Sequence, residues 1–498
     1  MSSYLYELPT TGAISFADYC QDDTADYVSF IAETTEARAN LRATLKESKR
    51  SDGEKDNLKL VKVIDEYLPK LCGIIACVKN GDLILRSEPI FSWRTTLSSS
   101  IFNSSPRLSF PSLAAELAFT LLTYAFALSN LARAVVASLG SYEFERAISD
   151  SERKAKDERL GFAVTLLCKS AGVFEHIAKE VIPAWDEARK RLCDAGISSP
   201  NPPDLSREVL IGLSKLALAD AQTLAIRKLL SRAAYDSTLS PGPPLPKSHP
   251  SPALAAKLHL ECVSLYSSAR ALVKTPGASR PSALSSPPKS KSKFKLQMGR
   301  VKSNDGVALE HTESQEVSPE LRRYLADEVA FHNALAHKWL GVDAGENGGT
   351  AQGGIAVGFL AWTKKELEEL KSGGLSHGGV AGIGITDREK DVKEARKATV
   401  IAEIGKVDTF LKGYKRMNDT VAFQTVPSHS ELQGSIPAGR SAISLRPYTR
   451  PTPDFGPGSI EHTRRQAEEL DLVQTADDTD IPLVGRGEGS YAGVGSYF

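Results

Sequence analysis

The sequence predicts a mostly α protein: a long stack of antiparallel helix pairs, broken by one small β element and ending in a tail. Three observations predict it. Between Leu160 and Lys228, Leu160, Ala163, Val164, Leu167, Ala171, Phe174, Ile177, Ala178 and Val181 recur every three or four residues, which puts them on one helical face. After the break at Pro202-Pro203 a second stripe follows, Leu210, Leu213, Ala217 and Leu224, with Asp204 as its expected N-cap. Long helices joined by so short a turn pack antiparallel. Third, comparable stripes recur on both sides of this pair, with one exception. Ala76 to Leu85 carries Asn80-Gly81 between β-prone runs and reads as a type I′ hairpin.

The elements follow in order. Tyr4 to Asp18 has proline, glycine and alternating apolar residues and reads as extended. Asp22 to Lys49 is a helix with Tyr27, Ile31, Leu41 and Leu45 on its apolar side, ended by Ser51-Asp52-Gly53. Leu58 to Cys77 is a second helix, and the aromatics of Ile90-Phe91-Ser92-Trp93 anchor the β element on the helices. Ser112 to Leu139, stopped by Gly140, is apolar nearly all round and is the expected central helix. Its most apolar run, Leu117 to Leu131, lies between Glu116 and Arg133, too short to span a bilayer. Pro183 stops or bends the first helix of the central pair. Helices are then expected over Asp204–Tyr235, Ala253–Val273, Pro319–Gly341 and Asp387–Met417. Mobile loops are expected over about 237–252 (Pro-rich), 275–318 (with a basic cluster) and 343–384 (Gly-rich, around a short helix Trp362–Lys371). From Asn418 the chain turns extended, and 451–498 has the composition of a disordered tail.

Composition narrows the function. Lys plus Arg and Asp plus Glu are 61 each, so the net charge is zero, and a nucleic-acid partner is not expected because it needs a concentrated basic surface. The cysteines Cys20, Cys72, Cys77, Cys168, Cys193 and Cys262 are scattered, as in a reducing compartment. Cys72 and Cys77 lack the companion pair of a zinc site. Residues 1–20 show no signal-peptide pattern, Ser2 stands where myristoylation needs glycine, and no prenylation box closes the chain. A cytosolic protein is therefore expected, with membrane association only through partners. No nucleophile–base–orienter set, H-E-x-x-H or P-loop is present, the five-residue spacing of His332 and His337 suits no helical metal pair, and no catalytic residue, metal or cofactor is expected. The glutamates read as surface.

A set of motifs then becomes specific: L-A-F-T-L-L-T-Y-A-F-A-L-S-N-L-A-R, K-S-A-G-V-F-E-H-I-A-K, P-P-D-L-S-R-E-V-L, L-A-L-A-D-A-Q, the F-S-W at Phe91 to Trp93 and the late N-D-T-V-A-F-Q-T-V-P-S-H-S-E-L. Together and in this order they resemble the Bro-type domain shared by Alix and related endosomal adaptors, over about 1–450, and most closely its fungal ambient-pH-response branch. The resemblance implies an elongated, curved, TPR-like helical solenoid with no enzymatic activity. It implies binding to the C-terminal helix of the filament-forming ESCRT-III subunit, recruitment to plasma-membrane or endosomal foci, and coupling to a calpain-like protease complex that processes a zinc-finger transcription factor. Carried over onto matching positions, the partner groove comprises Lys228, six residues after Gln222, with Leu254 and Leu258 at the start of the next helix. Asp220 replaces a glutamine of the family's segment, Ala225 stands at a usually aromatic position, and the Pro-rich insertion precedes Leu254. The alternatives are a general endosomal cargo-sorting scaffold and an enzyme with an unrecognised site.

Overall fold

The computed structural model describes residues 3–50, 56–98, 107–194, 196, 200–274, 316–376 and 387–477. Extended backbone leads into β1 (Cys20–Gln21), α1 (Val28–Arg50) and α2 (Asn57–Asn80). β2 (Ile84–Leu85) pairs antiparallel with β1, and β3 (Ile90–Arg94) with β4 (Arg107–Pro111), Phe91 opposite Phe110. Eight further helices follow: α3 (Leu113–Leu139), α4 (Asp150–His176), α5 (Ile182–Asp194), α6 (Arg207–Leu239), α7 (Pro252–Lys274), α8 (Pro319–Asn347), α9 (Gly353–Ser376) and α10 (Asp387–Met417). The short α11 (His429–Gly434) and α12 (Ile460–Asp477) close the described chain. Each long helix packs chiefly on its neighbour in the stack: α1 on α2, α2 on α3, α3 on α4, α4 on α6, then α6 through α10 in order. That is a solenoid, in which contacts stay local along one axis.

The apolar stripes explain the stack. Leu160, Ala163, Leu167, Ala171, Phe174, Ile177 and Val181 are all buried, as are Leu210, Leu213, Ala217 and Leu224 facing them. α3 is the most enclosed helix; the Ser112 side chain accepts from Ala114 N at its start, and Gly140 closes it. By length and apolar content α3, the α4–α5 run and α6 could each cross a bilayer, so the expectation that the α3 run is too short does not hold. Glu116 is buried within that helix and extends it, and its apolar side chains are covered by α2 and α4 instead of lipid. Glu116 itself is fully buried, an exception to the reading of the glutamates as mostly surface. It accepts from Arg38 Nε at 2.8 Å, Tyr67 Oη at 2.9 Å and Trp93 Nε1 at 2.7 Å, while Arg38 also donates to Gly12 O and Thr11 Oγ1. One carboxylate thereby ties together α1, α2, β3, α3 and the N-terminal segment.

Four local expectations are corrected. Asn80-Gly81 does not turn a hairpin. The helix runs on to Asn80, and Gly81, at φ 88°, is its left-handed cap, donating to Cys77 O; the strand after it pairs back to Cys20–Gln21 instead. Asp204 does not cap α6. It is buried in a tight turn where it accepts from Thr96 N, Leu97 N and Ser98 Oγ, and so fixes the strand exit to the central pair. Of the stop or bend expected at Pro183, the stop does not occur: a π-turn, Ile177–Val181, interrupts the regular helix just ahead of the proline, carries α4 into α5 and accommodates the missing N–H. The Gly-rich region is helical over Gly353–Ser376, where Gly353, Gly354 and Gly358 mark close approaches of the chain that follows α10, and 377–384 lies outside the described residues. A Cβ at Gly354 would lie 2.1 Å from Thr425 O. The Pro-rich segment after α6 is laid against the C-terminal helices, with Leu245 N donating to Glu346 Oε2. The break at 51–53 and the basic cluster within 275–315 lie outside the described residues.

The feature with the least sequence signal is a strap. After α10 the chain returns across the helices in reverse order. Leu432 meets Gly358 of α9, Arg440 N donates to Lys257 O of α7, and Ala442 N donates to Gln222 Oε1 of α6. Arg446 O lies against Gly172 of α4, Asp454 N donates to Pro69 O of α2, and Phe455 stacks on Phe30 of α1 at 4.7 Å. The segment read as tail from residue 451 thus begins as an anchor, with Phe455 only 3% exposed, and α12 follows it.

Candidate functional site

The three residues carried over from the motif comparison fall where α4, α6 and α7 lie side by side. Gln222 fixes the register. Its Nε2 donates to Leu258 O at 3.3 Å and to Arg440 O at 2.9 Å, and its Oε1 accepts from Ala442 N at 2.9 Å. α6 and α7 run antiparallel, Gly212 near one end of α6 meeting Val273 near the far end of α7. At about 1.5 Å per residue, Lys228 lies about 9 Å beyond Gln222 along α6 and Leu254 about 6 Å before Leu258 along α7. Both displacements go the same way, so Lys228 and Leu254 stand at nearly the same level of the stack.

Their exposure differs. Lys228 is exposed and, among the described residues, has no ion-pair or hydrogen-bond partner; its ammonium crosses above Gly161 of α4, where a Cβ would approach it to 3.0 Å. Leu254 is half-buried and packs on the main core. Leu258 is 3% exposed and belongs to that core. The structure therefore puts an exposed cation and a half-buried aliphatic at nearly the same level of the stack, with Leu258 about one turn further along α7 and inside the core. Two residues passed over in the sequence stand beside this cation along the chain: Phe162, 52% exposed, follows Gly161, and Leu229, 40% exposed, follows Lys228. The signal for them was present, since Phe162 and Leu229 are large apolar residues off the periodic stripe.

One polar cluster lies inside. Asp220 is buried and accepts from Tyr266 Oη at 2.6 Å, Tyr324 Oη at 2.9 Å and Tyr4 N at 3.2 Å. Burial, and then the charge of Glu328, push its carboxyl up to about 7 against the hydrogen bonds that favour the ion. Nearby, His259 Nδ1 and His332 Nδ1 are 2.9 Å apart, so one donates to the other; burial first holds both down, His332 to about 3, and both are neutral. The cavity lined by Ser3, Asp220, Thr223, Leu224, Tyr266, Tyr324 and Glu328 measures about 10 Å³, room for about one water and too small for a substrate. Its groups hold the N-terminal segment, α6, α7 and α8 together.

Comparison with known proteins identifies the family and the fold. A family model described as BRO1-like domain matches residues 15–460. The chain is 36% identical, over the whole of both sequences, to the pH-response regulator protein palC of Cryptococcus neoformans var. neoformans serotype D (strain B-3501A). It is 24% identical to the protein of the same name from Yarrowia lipolytica (strain CLIB 122 / E 150), covering 90% of this chain and 94% of that one. Among solved structures, one described as an ALIX BRO1 CHMP4C complex superposes with a TM-score of 0.54 at 15% identity, over 93% of this chain and 100% of that one.

Proposed function

The chain belongs to the BRO1-like domain family, and from that footing we propose that it is a non-enzymatic adaptor in the response to ambient pH. It recognises the C-terminal helix of the filament-forming ESCRT-III subunit at the α4–α6–α7 surface and holds a calpain-like protease complex near that filament, at plasma-membrane or endosomal foci. The transcription factor of alkaline adaptation is processed there. The observation that carries the proposal is the full-length similarity to pH-response regulators, joined to an exposed cation, unpaired among the described residues, at the level of a half-buried aliphatic on the next helix. A helix lying in a groove needs both: apolar pockets for its i, i+3, i+4 anchors and an opposite charge to set its direction. Lys228 supplies the charge for an acidic partner residue, Leu254 the pocket edge and Leu258 its floor.

The test is titration of a labelled ESCRT-III C-terminal helix into the full chain. Lys228→Glu is expected to weaken binding at least tenfold while the melting temperature holds, and Leu254→Asp to weaken it as much at some cost in stability, since Leu254 packs on the core. Leu258→Asp is a poor probe, because it places a charge in the core. Unchanged affinity in both surface variants sinks the site, and no binding by the wild type sinks the partner. A general cargo-sorting scaffold is the second reading; it predicts sorting defects in a deletion strain at neutral pH, whereas the pH-response reading confines the defect to alkaline growth.

A further inference from the structure

α1 carries Arg42, Lys46 and Arg50 at four-residue spacing, so three cations stand along one helical face over about 12 Å. β4 brings Arg107 close to them. The Lys46 ammonium is pushed below its ordinary value by Arg42 first, then by desolvation, Arg50 and Arg107. Among the described residues none of Arg42, Lys46 and Arg50 has a carboxylate within ion-pair distance. Glu47 lies beside them but is engaged by Lys59 at 2.8 Å, and Arg107 donates only to Thr10 Oγ1 at 3.1 Å. Arg42 Nε is buried without an acceptor. Arg42, Ala43, Lys46, Glu47 and Arg50 line an open cavity of about 530 Å³.

Like charges four residues apart destabilise a helix. Other exposed helices of this chain avoid this by pairing, as Lys365 does with Glu369, Lys415 with Asp419 and Arg464 with Glu468. Among the described residues the row on α1 lacks such compensation, and in a chain of zero net charge it is a local concentration of positive charge, not a general excess. We propose that this face binds the phosphate groups of anionic membrane lipids. Guanidinium forks match phosphate oxygens two by two, a straight open row suits headgroups held in one plane better than a single enclosed anion, and each cation near an anionic leaflet adds to the attraction. The proposal goes beyond the partner groove and rests on the adaptor reading only in placing the protein at a membrane. It replaces association through partners alone with a direct second contact.

The experiment is sedimentation of the full chain with phosphatidylcholine vesicles, with and without phosphatidylserine or a phosphatidylinositol phosphate. The wild type is expected to pellet only with the anionic vesicles, and less as salt rises. Arg42→Gln/Lys46→Gln/Arg50→Gln should lose about a hundredfold in vesicle affinity. Its melting temperature should hold or rise, because repulsion is removed. A control with equal charge loss, Lys365→Gln/Arg464→Gln/Arg465→Gln, should bind as the wild type does. Leu254→Asp should also bind vesicles normally, so failure of the groove and failure of this site are distinguishable. Equal pelleting of the triple variant and the wild type overturns the proposal. So does a wild type that ignores anionic vesicles but binds inositol hexakisphosphate or an acidic peptide through these cations, since the ligand would then be soluble.

Discussion

The two ends of the solenoid bury charge in different ways. Toward the N-terminus one carboxylate, Glu116, serves Arg38, Tyr67 and Trp93 from separate elements, inside the larger apolar core. Toward the C-terminus a second, smaller core forms around Phe331, Trp339, Leu360 and Tyr414. There the charges go chiefly two by two between helices of the C-terminal stack: Lys338 of α8 with Glu403 of α10 at 2.8 Å, Arg396 of α10 with Glu328 of α8, and His337 of α8 with Glu366 of α9 at 2.9 Å. A hub joins several elements at one acceptor and is hard to replace, because each donor depends on it. A pair between neighbouring helices adds little that apolar packing could not supply. The first arrangement specifies how the β element and extended N-terminus sit on the stack; the second only glues neighbours.

The most severe way to break this contrast is Glu116→Ala. It strands the buried Arg38 guanidinium and removes the acceptor of Trp93 Nε1, at a cost of about 3–5 kcal/mol. Urea unfolding should show that loss, and the β3–β4 amides should exchange faster than those of α8 to α10. Next is the strap, which spans both regions. In Gly172→Ala the new Cβ would meet Arg446 O at 1.8 Å, so backbone has to move. The expected loss is about 2–3 kcal/mol, with faster tryptic cleavage of the strap after Arg440, which is followed by Ser441. Unchanged cleavage would mean that the strap is held elsewhere.

Legibility in the sequence followed periodicity. The central stripes, the Gly140 stop and the bounds Asp387–Met417 were readable because a buried helix face repeats within a few residues. What failed were residues whose role is set by something distant. Asn80-Gly81 carries the chemistry of a hairpin and of a helix cap alike, and only the pairing of Leu85 with Cys20 decides between them. Asp204 sits where a cap should be, yet its acceptors are taken by residues 96–98. Gly354 looks like a loop glycine until Thr425 is seen beside it. For the site, the motif resemblance located the α6–α7 neighbourhood. It could not tell that Leu258 faces inward while Leu254 is half open, because that depends on how α7 is rotated against α6.

The junction between the two cores gives a smaller, pH-dependent effect. Asp220 contacts the N-terminal segment, α7 and α8, and its folded value of about 7 lies above that of an unfolded aspartate. A raised acid favours the protonated native state. Its contribution is complete below about pH 4, falls as pH rises to about 7 and is constant above. The loss between about pH 5 and pH 7 amounts to about 2 kcal/mol. His332, held down to about 3, acts in the opposite sense: its contribution is present above about pH 6.5 and is lost as pH falls. Asp220→Asn should therefore reduce the decline toward neutral pH, leaving the smaller contributions of the other buried acids and the opposing rise set by the histidines. Unfolding free energies measured across that range check this, and an identical profile in variant and wild type rejects it.

The smallest effect sharpens the comparison most. Lys338 and Glu403 are nearly enclosed, and each alone is costly to remove because the other is left without its partner. Replaced together, as Lys338→Met/Glu403→Leu, they leave only Lys406 behind, which is well exposed and can turn to solvent. Hydrophobic side chains of similar volume then fill the α8–α10 contact, and the double variant is expected within about 1 kcal/mol of the wild type. The same treatment has no counterpart at Glu116. Neutralising Arg38 and Glu116 together still leaves Tyr67 Oη and Trp93 Nε1 buried without acceptors, each a lost hydrogen bond that no apolar packing restores. If the C-terminal double variant were as unstable as a single one, that pair would be a hub too, and the division between the two ends of the stack would fall.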